Sequence, residues 1–322
     1  MNQPNMPVVP SASGYPNYSF LTDPIFSKSL ISRFKAKAVT SQFTTNGSSE
    51  VPSQIKDTGS EVILRRAPEA EIKSYQKNQG LTHSKLTSDL YRLTIDRAKY
   101  WSLKLNYIDT KQIQGVNTWI NEWKSDAVSK MDLEIGREIL IQIPWEVSPF
   151  NKGSCAGKRT GQYDMGTSGK PVVLTPSNIA EKLAEAQAVL AEQNVTGPYI
   201  IVAPYAMKPM MYRPESPLYS VCVSGESKAI FLQNGEYWPT MVGFSFIFTH
   251  ETPQYRDPDT GKTTYTLLIG RKDAILLVTQ ITYNRVIDSN ADDFATFWQG
   301  LQVYGFKLIR PEAMAVMYVT FG

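Results

Sequence analysis

Apolar residues hold to one helical face for longest between Val116 and Ile141, where Val116, Trp119, Ile120, Trp123, Ala127, Met131 and Ile135 recur at steps of three and four. That spacing predicts an amphipathic helix over 116–141, with Trp119, Ile120, Trp123 and Met131 on its buried stripe. Asp126 and Lys130, then Lys130 and Glu134, stand four apart on the wet side, where each pair adds a few tenths of a kcal/mol. At about 1.5 Å per residue such a run makes a rod of roughly 39 Å. Gly136 is expected to weaken it and Pro144 to stop it. A rod of that length crosses a small domain, so the rest of the chain must be arranged along it.

Period-two alternation takes over on either side. Residues Glu61 to Tyr75 (EVILRRAPEAEIKSY) and Asp89 to Asp109 (DLYRLTIDRAKYWSLKLNYID) both read as strands, with Trp101, Leu103, Leu105 and Tyr107 alternating with Ser102, Lys104 and Asn106. The polar stretch between them completes a long hairpin-like ribbon. A lone two-stranded ribbon is marginal in water, so this one is expected to need support from elsewhere. Pro68 confines its first arm to an edge or a bend. Further on, Thr175-Pro176 opens a predicted second helix whose stripe is Ile179, Leu183, Ala186 and Leu190, stopped at Gly197-Pro198. Strands are predicted at Tyr199 to Ala203, Lys228 to Gln233, Met241 to Thr249 and Thr263 to Gly270. Ala274 to Val278 reads as a strand covered on both faces, and Phe294 to Phe321 as two strands divided at Arg310-Pro311.

Composition changes this picture little. The 322 residues are 42% hydrophobic and 20% charged, enough for a real core in two domains or one domain with large excursions. A net charge of +3 announces no polyanionic partner. Residues 1–60 are polar and broken by Pro4, Pro7, Pro10, Pro16 and Pro24, which predicts an arm rather than a domain. Within it Lys28, Arg33, Lys35 and Lys37 form a basic cluster, by default a solvated face and alternatively a contact to nucleic acid phosphates. Cys155 and Cys222 share no metal or redox spacing and are expected to be free thiols. The start of the chain lacks a signal-peptide pattern and no apolar run reaches membrane-spanning length, so a soluble protein made in a cytoplasm is expected, with no membrane partner.

Motifs of chemistry are missing. The glycine-rich stretch 151–171 fails as a phosphate loop, because Gly157-Lys158 is followed by Arg159 and Gly169-Lys170 by Pro171; it is read as a flexible surface loop. Asp257, Asp259 and Gly261 resemble half of a calcium loop but suit a turn better. The two histidines, His83 and His250, stand in no HExxH or GxSxG setting, and the acids Asp292 and Asp293 lie in a loop. No catalytic residue, cofactor or metal is expected, although an α/β enzyme without a recognisable motif stays open as an alternative.

Five segments in order resemble the major capsid (coat) protein of tailed bacteriophages, the Hong Kong 97 fold: VILRRAPEAEIKSY, LTIDRAKYWSLKLNYID running into Lys111-Gln112, the helix from Val116, the unit ending AEQNVTGPYIIVAP, and the closing YGFKLIRPEAMAVMYV. The resemblance implies an α+β chain with an N-terminal arm (1–49), an extended β-hairpin E-loop (50–104), a P-domain on the spine helix (105–150 with 285–322) and a mixed α/β A-domain (151–284). It implies self-assembly into hexamers and pentamers of an icosahedral head around double-stranded DNA, put together in a host bacterial cytoplasm. A portal protein, a separate scaffolding protein and a possible decoration protein would be partners; an encapsulin-like compartment is the alternative. On the ribbon, Arg65, Arg66, Glu69, Glu71, Lys73 and Tyr75 become candidates for contacts between subunits. Lys28, Arg33, Lys35 and Lys37 become candidates for facing the DNA.

Overall fold

Strands of two characters, alternating and continuously apolar, are sorted into two large sheets, with a separate two-stranded ribbon beside them. The computed structural model describes residues 39–46, 61–65, 70–75, 77, 80, 83, 90–106, 116–219, 243–258, 261–290 and 293–322. In chain order the elements are α1 (Thr40–Phe43), β1 (Thr45–Asn46), β2 (Glu61–Arg65), β3 (Leu90–Thr94), β4 (Arg97–Asn106), α2 (Val116–Glu146), β5 (Val172–Leu174), α3 (Ile179–Ala191), β6 (Tyr199–Pro204), α4 (Lys208–Met211), β7 (Phe244–Thr249), β8 (Gln254–Arg256), β9 (Thr263–Gly270), β10 (Ile275–Asn290), β11 (Asp293–Leu308) and β12 (Met314–Phe321).

The continuously apolar strands build one sheet in the order β5-β12-β9-β6-β7, with β8 attached to β9. Its inner strands have little polar character because layers cover them; β12 is buried at Met314 to Met317 and the parallel pair β6 and β7 along most of its length. Ile179, Leu183, Ala186, Val189 and Leu190 of α3 belong to the same core. The alternating strands build the second sheet, β1-β10-β11-β4, and α2 runs across one face of it. Besides the passage from β4 through α2 to β5, the chain crosses between these sheets at Lys272–Ala274 and at Pro311–Ala313. The two crossings lie side by side: Ile309 donates its N–H to Ala274, Arg271 donates its own to Ala313, and Asp273 receives both Arg271 and Arg310.

A stripe of polar residues on α2 fastens it to the second sheet. Glu138 accepts from Tyr304 at 2.6 Å and from Arg97 at 3.2 Å, with the Lys99 ammonium at 2.5 Å. One turn on, Gln142 accepts from Arg97 and donates to Glu146 at 3.0 Å; Glu146 in turn accepts from the Leu308 N–H. Burial by itself would raise the Glu138 pKa, but the hydrogen bonds from Lys99, Tyr304 and Arg97 and the Lys99 charge outweigh it and hold it below the ordinary carboxylate value. Burial, and then the neighbouring Glu138, raises Tyr304 well above the usual phenol range, so its O–H stays a donor.

The long helix differs from expectation in three places. It extends to Glu146 with Pro144 inside its last turn, because Ile139, Leu140, Ile143 and Val147 are seated in the core there and Lys152 Nζ takes up the carbonyls of Pro144 and Trp145. Gly136 is an approach site rather than a weak point: an added Cβ would come within 2.6 Å of Thr40 Oγ1, since α1 lies against the helix and Thr40 donates to the Asp132 carbonyl. The buried stripe also lies mainly in the second half. Ile120 is buried, Met131 packs at the edge of the core, Trp123 is half-buried, and Trp119 is 56% exposed. The first half of α2 lies over β4 and β11, meeting them through the Trp101–Trp123 pair and through Lys124 Nζ, 5.7 Å from the Trp298 ring centre.

The ribbon is shorter and better supported than alternation implied. β2 pairs with β3 from Glu61↔Thr94 to Arg65↔Leu90, after which Arg97–Asn106 leaves to pair with β11, and residues 70–75 form no strand. Val62, Leu93 and Ile95 are buried with Leu276 and Val278, so the ribbon's root rests on its own sheet. Gly305 permits this crossing, because a Cβ there would overlap the Thr94 carbonyl oxygen and stand 3.0 Å from Ile95 Cα.

Smaller corrections have local causes. The helix expected from Thr175 begins at Ile179, since Asn178 accepts from the Thr175 N–H and donates to the Val173 carbonyl, turning the chain first. It ends at Ala191, ahead of Asn194 with φ 61°. The glycine-rich loop is pinned rather than loose: Ala156 bridges Tyr163, Met165 is buried, and Glu192 accepts from Arg159 N–H and from Thr160. The last two strands do not both return to the helix, because β11 joins the second sheet and β12 the first. The turn expected at Asp257 is present, with Gly261 N–H donating to the Asp257 carbonyl. The predicted strand Lys228 to Gln233 lies outside the described residues.

Two outcomes follow from these contacts. Glu138→Gln leaves Arg97 and Lys99 without their carboxylate and is expected to cost about 1–3 kcal/mol at neutral pH, the value of hydrogen bonds to charged groups. Because the Glu138 pKa is lowered by folding, its contribution is present above the unfolded carboxylate pKa and is lost as pH falls through the lower folded one. Chemical denaturation of both proteins should therefore show a stability gap that closes on acidification. Gly305→Ala is expected to lower stability by about 1–3 kcal/mol through overpacking against backbone that cannot move aside. Gly169→Ala, with nothing within 4 Å, should be neutral in the same melts.

Candidate assembly surface

Trp101 meets Trp123 with ring centroids 5.6 Å apart, while Arg97 and Lys99 reach Glu138, so alternate residues of β4 face α2. The intervening residues, Ala98, Tyr100, Ser102 and Lys104, must point to the opposite face of the sheet. The pairing register then sets three rows across β4, β11 and β10. Tyr100, Leu301 and Tyr283 form one, Ser102, Gln299 and Arg285 the next, and Lys104, Phe297 and Ile287 the third. The middle row is stitched by hydrogen bonds, Arg285 Nε to Gln299 Oε1 at 2.7 Å and Gln299 Nε2 to Ser102 Oγ at 3.4 Å. Lys104 Nζ lies 5.9 Å from the Phe297 ring centre. Tyr100 is 81% exposed, and Tyr283 and Leu301 are exposed beside it. Aromatic and aliphatic side chains ordered in rows on the part of this sheet face that the described residues leave exposed make a surface suited to a macromolecular partner.

A second apolar feature is the segment beyond β2. Ile72 is 96% exposed and Tyr75 74%, with Glu71 and Lys73 paired to each other at 3.3 Å. Of the ribbon residues singled out by sequence, Arg65 closes the β2–β3 pairing through its backbone, Tyr75 projects, and Glu71 and Lys73 satisfy one another within the chain. Arg66 and Glu69 lie outside the described residues, as do Lys28, Arg33, Lys35 and Lys37 of the arm. Sequence reading missed the rows on the sheet. Tyr100 was visible as the odd aromatic among the polar positions of β4, but its alignment with Leu301 and Tyr283 depends on register between distant strands.

Elsewhere the side chains offer packing rather than chemistry. His250 stacks on Tyr205 at 4.5 Å, and Lys208 Nζ stands 5.0 Å from the Tyr205 and Phe248 rings. Cys155 is exposed and free. Among the described residues no group of three or more His, Cys, Asp or Glu is placed to hold a metal ion, and no helix is long and apolar enough to cross a membrane.

No protein-family model matches the sequence, and no curated protein matches it. Solved structures do match its fold over nearly the whole chain. A structure of Mycobacterium phage Che8 aligns with a TM-score of 0.64 at 16% identity, covering 94% of this chain and 97% of the other. The asymmetric unit of the bacteriophage PhiM1 mature capsid aligns with a TM-score of 0.63 at 13% identity, covering 93% and 92%. The capsid of Ralstonia phage GP4 aligns with a TM-score of 0.64 at 9% identity, covering 92% and 94%. With a ribbon rooted on a spine-and-sheet unit and a second sheet reached by paired crossings, this chain has the α+β, Hong Kong 97-type fold of phage major capsid proteins.

Proposed function

We propose that the protein is a major capsid protein, whose copies assemble into hexamers and pentamers of an icosahedral phage head around double-stranded DNA. The observation that carries this is the extent of the likeness: phage capsid structures cover more than nine tenths of the chain and are themselves covered to the same degree. Little of this stretch of chain falls outside the shared fold. Its surface supports the same use. An exposed Ile72 and Tyr75 and the rows of Tyr100, Leu301 and Tyr283 are costly for a solitary molecule and useful to one that covers them with its neighbours. The arm, with Lys28, Arg33, Lys35 and Lys37, would face the packaged DNA; a separate scaffolding protein, a portal and possible decoration proteins complete the set of partners. Residues 1–49, 50–104, 105–150 with 285–322, and 151–284 are the proposed arm, E-loop, P-domain and A-domain.

The test keeps the rooted part of the ribbon and removes what lies beyond it. Residues 67–88 are replaced by a short Asn-Gly turn that preserves the β2–β3 pairing. Co-expressed with a scaffolding partner, the wild type is expected to form closed particles by negative-stain microscopy and fast sedimentation. The variant should keep its far-ultraviolet circular dichroism and melting temperature yet stay unassembled. Normal assembly of the variant would remove the ribbon from the mechanism, and a wild type that stays monomeric with every scaffold would remove the capsid role. Particles filled with a folded cargo protein instead of DNA would point to an encapsulin-like compartment.

A further inference from the structure

The outward stripe of α2 changes character toward its C-terminal end. Glu134 and Arg137 on it are paired with each other, and then come Ile141 and Trp145, four apart and both exposed, Trp145 at 79%. Phe150, just past the helix, is exposed as well. The chain then folds back on this end. Lys152 Nζ takes up the Pro144 and Trp145 carbonyls, and the Gly157 N–H donates to the Phe150 carbonyl at 2.8 Å. The next two residues, Lys158 and Arg159, are thereby brought to the same end of the helix, and both are exposed.

Their backbone is fixed while their side chains are not. Glu192, just past α3, accepts from the Arg159 N–H at 2.7 Å and from the Thr160 N–H and hydroxyl at 3.3 Å and 2.7 Å. Gly157 at φ 109° and Gly161 at φ 61° supply the tight turns on either side. Among the described residues neither the Lys158 nor the Arg159 side chain forms an ion pair, and residues 148–163 contain no acid. Two unpaired cations on a pinned loop, beside three exposed apolar side chains, are organised before any partner arrives, which lowers the ordering cost of binding.

We propose that this end of α2 and its loop form the docking site for an acidic amphipathic segment of a separate scaffolding protein. The apolar side of the segment covers Ile141, Trp145 and Phe150, and its carboxylates meet Lys158 and Arg159. The occupant follows from the two halves of the surface. Nucleic acid phosphates would satisfy the cations and leave the apolar side chains wet, whereas a purely apolar partner would leave the cations without anions. The exposed segment of this chain that comes nearest to the pattern, Glu71 to Tyr75, has Glu71 already paired with Lys73, which speaks against a second copy. Only the source of the segment rests on the capsid reading; its chemistry rests on the surface.

Fluorescence anisotropy of a labelled synthetic peptide tests the site on the full-length protein. The probe is a short amphipathic helix with leucines at three- and four-residue spacing and glutamates flanking them. A version with lysine for glutamate, a version with serine for leucine, and a short DNA duplex are the controls. The leucine-glutamate peptide is expected to bind, more weakly as salt rises, and the controls to bind at least about tenfold less. Trp145→Ala, and Lys158→Glu combined with Arg159→Glu, should each weaken it about tenfold. These positions are exposed, so circular dichroism and melting temperature should stay those of the wild type. Glu192→Ala unpins the loop, keeps every contacting side chain, and should weaken the peptide by a smaller factor. Co-expressed with a scaffolding partner, the Trp145 and charge-reversal variants should yield few particles. No binding, or binding indifferent to these changes, overturns the site. A DNA duplex that binds in place of the peptide overturns it too, as does a Trp145→Ala change in the sedimentation of the protein alone, which would mark a contact between copies. Normal particle yield from variants that no longer bind the peptide overturns the scaffolding role and leaves the capsid reading standing. A wild type that binds the peptide but never assembles with any scaffold overturns the capsid reading and, with it, the source of the segment.

Discussion

Glu138, Gln142 and Glu146 stand one turn apart on a single face of α2, and together they reach β4 and β11 of the second sheet. Through them Arg97 and Lys99 of β4 and Tyr304 and Leu308 of β11 are tied to the helix. The spine and the sheet form one body through this polar seam and through the buried cluster that Ile135, Ile139 and Ile143 of the second half of α2 share with Ile275, Tyr304, Phe306 and Leu308, while the first half adds the Trp101–Trp123 pair. The seam is also selective in a way an apolar stripe would not be. A carboxylate with three donors fixes the helix along its own axis, because sliding by one residue would leave a partly buried charge unpaired.

What the seam holds in place determines where the ribbon can go. The ribbon crosses β11 at Gly305, where its backbone lies closer than any side chain would allow, and its root is covered by Leu276 and Val278 of β10. The same β10 carries the exposed Tyr283 farther out, and β11 carries the middle of the aromatic rows. Ribbon root and exposed rows are thus features of one four-stranded sheet, and strain or movement in that sheet would reach both. The paired crossings at Asp273 and Arg310 join this unit to the other sheet at one place, with backbone hydrogen bonds on either side.

Local periodicity made much of this legible in the sequence. Thr263–Gly270, the strand read as Tyr199 to Ala203 and found as Tyr199–Pro204, and the break at Arg310-Pro311 were readable because alternation, apolar runs and proline act over a few residues. The misreadings share one cause, which is that the deciding contact comes from far along the chain. Gly136 was read as a weak point because nothing near it in sequence reveals Thr40. Trp119 fits the helical stripe and is exposed all the same, while the adjacent Ile120 is buried. The strand from Arg97 to Asn106 looked like the ribbon's second arm, because the pairing partner that claims it is about two hundred residues away. The site was legible only in part for the same reason: Tyr75 is a local observation, whereas Tyr100, Leu301 and Tyr283 become a row only once two registers are known.

Energetics explain why exposed residues of this kind suit repeated assembly better than tight pairwise binding. Covering one large apolar side chain contributes about 1.5–3 kcal/mol, and exposed ion pairs such as Glu71 with Lys73 contribute at most about 1 kcal/mol. Bringing two subunits together costs at least about 4 kcal/mol in lost motion, so a single covered row leaves little net attraction. Such a contact forms and breaks readily, which allows misplaced subunits to leave. In a closed lattice each subunit is held by several neighbours at once, and after the first contact the later ones no longer carry the full loss of motion. In the proposed shell, weak, separate surfaces on the ribbon and on the sheet would therefore add up without requiring any one of them to be strong.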